Sequence, residues 1–289
     1  MLDYGKKTLI AATTAVTLAA SPAAADVQIG WTAWSDAEFV TKLAQQILEE
    51  RMDQDVTLTQ TGIAPQYQGL AQGDIDVMMM SWQPGTHADY LEKFANQTVD
   101  LGMLYDHARL GWIVPEYMDV DSIADLKSEE WADKLDGKIV GIDPGAGLTR
   151  LSKQAIEDYG LSDMYTLQTS SGAGMTAALD RAIKRDEPIV VTGWSPHWKF
   201  GAYDLKYLED PKGTLGSYES IHAIARQGFY QDNIDAATMI GRMWIPLDDL
   251  QAAMYDAQET SYEEAVDKYI ENNEDRVQYW ITGELPSEG

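Results

Sequence analysis

Cysteine is absent from this sequence of 289 residues. Its absence excludes a disulfide framework, a thiolate metal site and a cysteine nucleophile. It also excludes a lipoprotein anchor, because that lipid is attached to a cysteine at the cleavage site. We therefore expect neither covalent cross-links nor thiol chemistry to contribute to the fold or the function.

Basic residues are scarce in this chain. Its 21 Lys and Arg residues are outnumbered by 47 Asp and Glu residues, and the formal net charge is −26. A field of this sign repels nucleic acid and anionic membrane surfaces, so we expect no nucleic-acid partner. The acidity has two explanations that remain open, namely adaptation to a salty exterior and a generally acidic secreted protein.

The motifs of common enzymes are also missing. The chain contains no G-x-S-x-G, H-E-x-x-H or Walker sequence, and the glycine-rich turn at residues 143–147 lacks the register of a dinucleotide loop. The four histidines lack the spacing of metal ligands: His87, His107, His197 and His222. We therefore predict no catalytic residue, no metal site and no cofactor.

The first 25 residues have the pattern of a secretory signal peptide. Lys6 and Lys7 precede a small, mostly apolar run over residues 8–20, and alanines occupy positions 23–25. The alternative is an N-terminal membrane anchor, but the run is shorter than the ~20 apolar residues that span a bilayer. We predict cleavage after Ala25 and, without a cysteine for lipidation, a free periplasmic protein.

Short β-rich runs alternate with amphipathic stretches along the rest of the chain. Residues 27–31, 56–60 and 75–80 are typical of strands and are separated by helical patterns. A second unit of the same kind follows over residues 138–193, and the chain after residue 233 is mostly helical. This order predicts two α/β lobes around a cleft, each a mainly parallel sheet flanked by helices.

Two similar segments, residues 78–87 and 191–198, each follow an apolar strand. In both, the strand ends in a small polar residue or glycine, and a tryptophan (Trp82 or Trp194) and an x-Pro pair come next. Residues just beyond the carboxyl ends of parallel strands line the ligand crevice. The two indoles therefore face the cleft in one interpretation and merely pack a lobe interface in the other.

Tryptophan and tyrosine dominate the aromatic residues, with nine Trp and fifteen Tyr against four Phe. Several indole faces around a cleft suit a trimethylammonium group, which has no N–H donors and cannot be held by hydrogen bonds. Each face attracts such a cation by ~0.5–2 kcal/mol and also buries its methyl groups. A quaternary ammonium solute is therefore the ligand class that the pattern favours.

Five short segments carry a family resemblance. They are residues 81–87 (SWQPGTH), 141–147 (GIDPGAG) and 192–200 (TGWSPHWKF), with support from residues 114–118 and 203–211. In these segments the chain resembles the substrate-binding proteins of glycine betaine/proline betaine ABC importers. The resemblance implies the two-lobed fold of periplasmic binding proteins. We place lobe I at residues 26–108 and 214–289 and lobe II at residues 109–213, with chain crossings near 105–111 and 210–217.

The resemblance implies an aromatic cage that holds the ammonium group between the closed lobes. In this sequence the matching cage positions are Trp82, Trp194 and Trp244. Some relatives place an aromatic residue inside the Pro-Gly-x-Gly turn. This chain has Ala146 there, so we expect no cage wall from that turn.

The resemblance also implies that backbone N–H groups, and in some members a histidine, hold the ligand carboxylate. The matching positions are His87, the backbone at Asp36 and Ala37 where the first helix opens, and Gly147 in the glycine turn. Asp36 can equally be an ordinary N-cap, and His87 can be a supporting residue. If His87 contacts the anion, it should be protonated more often, and binding should tighten as the pH falls toward 6.

The expected function is capture of glycine betaine, or a related quaternary ammonium osmolyte, by a monomer that delivers it to the membrane permease of an ABC importer. Choline, carnitine, trimethylamine N-oxide and dimethylsulfoniopropionate remain open as ligands. Two other classes also remain open. One is a secreted sugar-active enzyme, since tryptophan also stacks on sugars, and the other is a sensor coupled to a membrane receptor.

Overall fold

The computed structural model describes Met1 and residues 26–285, so the predicted signal peptide, except for Met1, lies outside the described residues. The strands are β1 (Val27–Trp31), β2 (Val56–Gln60), β3 (Val77–Gln83), β4 (Thr98–Pro115), β5 (Lys138–Val140), β6 (Thr166–Gln168), β7 (Val191–Ser195), β8 (Leu205–Tyr207) and β9 (Glu219–Arg226).

Helices cover the sheet, and two of them are accompanied by turns of another helical type. A π-helical turn (Ile47–Arg51) extends the first helix, and a 3-10 turn (Ile123–Lys127) precedes the fourth. The helices are α1 (Ser35–Gln46), α2 (Ile63–Gln72), α3 (Ala88–Phe94), α4 (Glu129–Lys134), α5 (Gly147–Asp158), α6 (Gly172–Ile183), α7 (Lys199–Ala202), α8 (Phe229–Asp232), α9 (Ile234–Arg242), α10 (Leu247–Glu259), α11 (Tyr262–Asn272) and α12 (Glu274–Thr282).

One long strand joins the two halves of the sheet. The strands of residues 26–285 lie in the order β2-β1-β3-β9-β4-β7-β5-β6, with β8 beside β4. Up to Ala108, β4 pairs with β9, and from Arg109 onward it pairs with β7 and β8. Its partners thus change at the predicted end of the first part of lobe I. The exact lobe bounds stay a prediction, and we use them below as names for the two halves.

The direction of the strands confirms the α/β architecture and corrects one detail. The strand β1 is parallel to β2 and β3, and β5 is parallel to β6 and β7, as the alternation of strands and helices predicts. The sheet is more mixed than predicted, because β4 and β9 pair antiparallel with their neighbours. One predicted crossing between the lobes lies within β4 and the other comes just before β9, so no right-handed βαβ connection dictates the direction of these strands.

The strand β9 was not predicted from the sequence. Its first residues alternate in burial, with Glu219, Ile221 and Ala223 buried and the residues between them half-buried. That is the period of two expected of a strand, but alanines and polar residues dilute it because they have low strand propensity. The mostly helical chain beyond residue 233 is as predicted.

The C-terminal helices return to lobe I, where α10 and α11 pack against α1. The apolar face of α1, including Phe39, Val40 and Leu43, is fully buried in the larger hydrophobic core, while a second core lies within lobe II. None of the helices found in residues 26–285 has the length and apolarity that crossing a bilayer requires. This packing holds the start of α1 rigidly beside the cleft.

Candidate functional site

A small cavity lies between the two lobes, at the carboxyl ends of β1, β3 and β7. Both lobes contribute to its walls, as the cleft interpretation of the tryptophan segments requires. Its lining residues are Trp34, Trp82, Thr86, His87, Leu110, Ile142, Ala146, Gly147, Leu148 and Trp194. The lining is mostly apolar, with its polar side chains confined to Thr86 and His87 beside the indoles.

Three indole rings form the aromatic part of the wall. Trp34 follows β1, Trp82 lies near the end of β3 and Trp194 lies near the end of β7. Their exposed fractions are 6%, 3% and 3%, so all three are buried. The rings of Trp34 and Trp194 are tilted by 57° with centroids 6.1 Å apart. Trp82 and Trp194 therefore lie where the sequence places them, at one shared cavity.

The third predicted cage residue, Trp244, does not line this cavity. It lies in the loop between α9 and α10 and is 44% exposed. The loop is held by the next residue, because the buried Ile245 donates its N–H to the carbonyl of Leu104. The structure thus corrects this assignment and puts Trp34 in its place. Trp34 could have been predicted from the sequence, because it also comes just after a parallel strand, β1.

His87 forms part of the polar end of the cavity as a neutral ring. Its Nδ1 accepts a hydrogen bond of 3.0 Å from the N–H of Trp82, so Nε2 carries the proton. Burial lowers the pKa of His87 to about 3, and the charge of Arg150 acts in the same direction. We therefore expect binding to stay constant toward pH 6 and not to tighten, because this ring is a neutral donor at both pH 8 and pH 6.

The amino end of α5 adds backbone donors at the same end of the cavity. Ala146, Gly147 and Leu148 line the cavity, and no side chain of residues 26–285 caps this helix. A Cβ on Gly147 would lie 2.4 Å from Cγ2 of Thr86 and 2.7 Å from its carbonyl oxygen. Only glycine lets the two lobes approach so closely here. The first N–H groups of an uncapped helix suit an anion.

Asp36 and Ala37, the other predicted contacts for a carboxylate, do not reach the cavity surface. Both are fully buried, and the Asp36 carboxylate accepts a hydrogen bond from the N–H of Ala37. It also accepts 2.8 Å and 3.0 Å bonds from the hydroxyl of Tyr105 and from Nε1 of Trp194. Burial raises the pKa of Asp36, and these donors oppose that effect. The Asp36 carboxylate therefore supports the indole of Trp194. The backbone at Asp36 and Ala37 is not part of the cavity lining and does not present its N–H groups to a ligand there.

The cavity lacks a counter-charge for a cation. Within residues 26–285, none of the side chains that line it is an aspartate or a glutamate. In the same residues no cluster of three or more His, Asp or Glu side chains could hold a metal ion. A cation in this cavity would meet indole faces, and an anionic group would meet N–H donors of His87 and α5. The arrangement is complementary to a small zwitterion with an apolar cationic head.

Comparison with known proteins gives a consistent result. Residues 25–272 match the family model described as the substrate binding domain of ABC-type glycine betaine transport systems. Over 195 residues the chain is 37% identical to the glycine betaine/carnitine transport binding protein GbuC of Listeria monocytogenes. The alignment covers 67% of this chain and 62% of GbuC, so the chain spans less than two thirds of that relative.

Solved structures share the fold over most of the chain. Lactococcal OpuAC, in its closed-liganded conformation with glycine betaine, has a TM-score of 0.83 and 35% identity, and the match covers 89% of this chain and 99% of that one. The glycine betaine/L-proline-binding protein ProX of Borrelia burgdorferi has a TM-score of 0.83 and 34% identity, with 91% and 97% covered. The resemblance seen in the sequence is thereby confirmed, and this chain belongs to the family of substrate-binding domains of ABC-type glycine betaine transport systems.

Proposed function

We propose that this protein captures glycine betaine, or a closely related quaternary ammonium solute, and delivers it to the membrane permease of an ABC importer. One observation carries the proposal. Three buried indoles, Trp34, Trp82 and Trp194, share an apolar cavity whose lining has no carboxylate in residues 26–285. Indole faces attract a trimethylammonium group and bury its methyl groups without the need to desolvate a counter-ion.

The two ends of the cavity fit the two ends of a betaine. The trimethylammonium head lies among the three indoles, and the carboxylate points toward His87 and the amino end of α5. Thr86, the neighbour of His87, contacts Gly147, so these two sets of donors lie together. Hydrogen bonds to a charged group are worth ~1.5–3 kcal/mol each. Donors for an anion favour glycine betaine over choline, which offers only a hydroxyl.

Other functions receive less support from the site. Carnitine, trimethylamine N-oxide and dimethylsulfoniopropionate share the methylated cationic or polar head and remain alternative ligands. A sugar-active enzyme needs two carboxylates that face each other across the cleft, and no such pair lines the cavity in the described part of the chain. A receptor-coupled sensor would use the same fold and the same cavity, and only its partner would differ.

The same proposal includes the location and the oligomeric state of the protein. A signal peptide cleaved after Ala25 would release a monomer into the periplasm, where the surface charge keeps it away from nucleic acid and from anionic lipid. N-terminal sequencing of the exported protein tests the cleavage site. Sedimentation of the purified protein tests the monomer.

Calorimetry of the exported protein tests the ligand class. We expect glycine betaine to bind tightly, choline to bind more weakly, and glycine, with its strongly hydrated ammonium group, to bind far more weakly than either. Carnitine, trimethylamine N-oxide and dimethylsulfoniopropionate complete the panel. Comparable affinity for glycine and glycine betaine would contradict the aromatic cage.

A further inference from the structure

Two of the cavity indoles donate hydrogen bonds across the cleft. Nε1 of Trp34 in lobe I lies 3.0 Å from Oδ2 of Asp143 in lobe II. Nε1 of Trp194 in lobe II lies 3.0 Å from Oδ1 of Asp36 in lobe I. The pattern is reciprocal, since each lobe supplies one indole donor and one carboxylate acceptor.

The acceptors are held in place within their own lobes. Tyr105 donates a 2.8 Å hydrogen bond to the second oxygen of the Asp36 carboxylate, and both residues are fully buried. The backbone carbonyl of Asp143 accepts a 2.7 Å bond from the hydroxyl of Thr149, which fixes the turn before α5. The Asp36 carboxylate is therefore oriented before the lobes meet, and the backbone that carries Asp143 is fixed.

The ring of Trp194 is likewise supported by its own lobe. Nζ of Lys199, which is completely buried, lies 3.3 Å from the carbonyl of Trp194 and 4.8 Å from the centroid of its ring. The ring of His197 packs edge-on against the indole with centroids 4.8 Å apart. These contacts hold one side of the indole, and the bond to Asp36 holds its N–H edge from the other lobe.

We infer that Asp36 and Asp143 are positioning residues that couple assembly of the aromatic cage to closure of the lobes. When the lobes separate, both indole N–H bonds break, and the N–H edges of two of the three rings lose their support. When a ligand draws the rings together, the same bonds form and hold the lobes shut. The inference rests on the proposed function for its ligand, and the carboxylates themselves do not touch that ligand.

The rates of glycine betaine binding give the first test. Replacing Asp143, which is partly exposed, by Ala should raise the dissociation rate constant about tenfold and change the association rate constant much less. Asp143→Asn keeps an acceptor oxygen and should restore most of the slow dissociation. Asp163→Ala removes an exposed carboxylate from the same lobe and serves as the matched control.

A double-mutant cycle separates coupling from general damage. Trp34→Phe keeps an aromatic face and removes the indole N–H, so in this background Asp143→Ala should cause little further loss. Full additivity of the two changes would overturn the inference. So would an Asp143→Ala protein that releases glycine betaine at the parent rate.

The closed fraction of the ligand-free protein provides a readout that does not depend on the ligand. The chain has no cysteine, so Glu50→Cys and Glu130→Cys, at exposed positions in lobes I and II, can carry a pair of fluorescent dyes. Asp143→Ala should lower the fraction of closed molecules, and Asp143→Asn should not. An unchanged closed fraction overturns the inference, whereas failure of the parent to bind any methylated amine overturns the proposed function alone.

Discussion

At the scale of single residues, the surroundings of each indole decide its role. Trp34, Trp82 and Trp194 are buried at one cavity, and Trp34 and Trp194 have their N–H groups satisfied by carboxylates. All three rings line the cavity, where a cation would meet them. Trp244 lies instead in the surface loop between α9 and α10 and is 44% exposed.

Alanine substitutions should separate these two kinds of tryptophan. We expect Trp194→Ala to weaken glycine betaine binding by ~2–4 kcal/mol, through loss of one cation–π face and its buried area. Trp34→Ala and Trp82→Ala should fall in the same range. Trp244→Ala should change binding by less than ~0.5 kcal/mol, as expected of a surface substitution. Calorimetry measures the change, and circular dichroism checks that each variant folds.

The assignment of the cage depends on that contrast. A Trp194→Ala protein that folds and binds like the parent would make Trp194 a packing residue. A large loss from Trp244→Ala would restore the cage that the sequence predicted.

His87 should distinguish the two ends of the ligand. We expect His87→Ala to weaken glycine betaine by ~1.5–3 kcal/mol, the range for a hydrogen bond to a charged group. Choline has the same head without the carboxylate and should lose much less. The ratio of the two affinities, measured by calorimetry, should therefore shift toward choline. An equal loss for both ligands would instead make His87 a support for the Trp82 segment, to which its Nδ1 is bonded.

At the scale of elements, the amino end of α5 is the point where lobe II meets lobe I. Gly147, the first residue of α5, packs against Thr86 so closely that a Cβ would collide with it. The hydroxyl and N–H of Thr86 are bonded to the buried Glu219 of β9, so Thr86 has little freedom to move away. This contact therefore limits how far the lobes can close.

A single methyl group at Gly147 should hinder closure. We expect Gly147→Ala to weaken glycine betaine by ~1–3 kcal/mol, the usual cost of overpacking, with little change in the melting temperature of the ligand-free protein. Gly145→Ala, in the same turn, is the matched control, since a Cβ there would have no non-neighbouring atom of the described part of the chain within 4 Å. Calorimetry and small-angle scattering of the liganded proteins measure affinity and closure. Equal affinities for the two variants would show that the contact is not limiting.

At the scale of the whole molecule, buried histidines link folding stability to pH. Burial lowers the pKa of His87 to about 3 and that of His197 well below its ordinary value of 6.5. In the unfolded chain both rings take up protons near pH 6.5, whereas in the folded protein they stay neutral. The unfolded state then binds more protons, so the free energy of unfolding falls as the pH falls below 6.5.

The pH dependence of folding and binding should therefore differ. We expect the free energy of unfolding, measured with denaturant, to fall by about 1–2 kcal/mol per buried histidine between pH 6.5 and pH 5. His87→Gln should show a shallower fall than the parent. The affinity for glycine betaine should stay constant between pH 8 and pH 6, because His87 keeps one protonation state. An affinity that rises severalfold over this range would show that His87 gains a proton in the complex.

The sequence by itself determined the α/β architecture, the two tryptophans near the ends of β3 and β7, and the places of His87 and Gly147 at the cavity. These features depend on local periodicity and on residues next to strand ends, which are readable along the chain. The choice between Trp34 and Trp244, the antiparallel β9 and the role of Asp36 were decided only by the tertiary structure. They depend on which surfaces meet when the lobes close, and the Asp36–Trp194 bond joins residues 158 positions apart. No local pattern encodes such a contact.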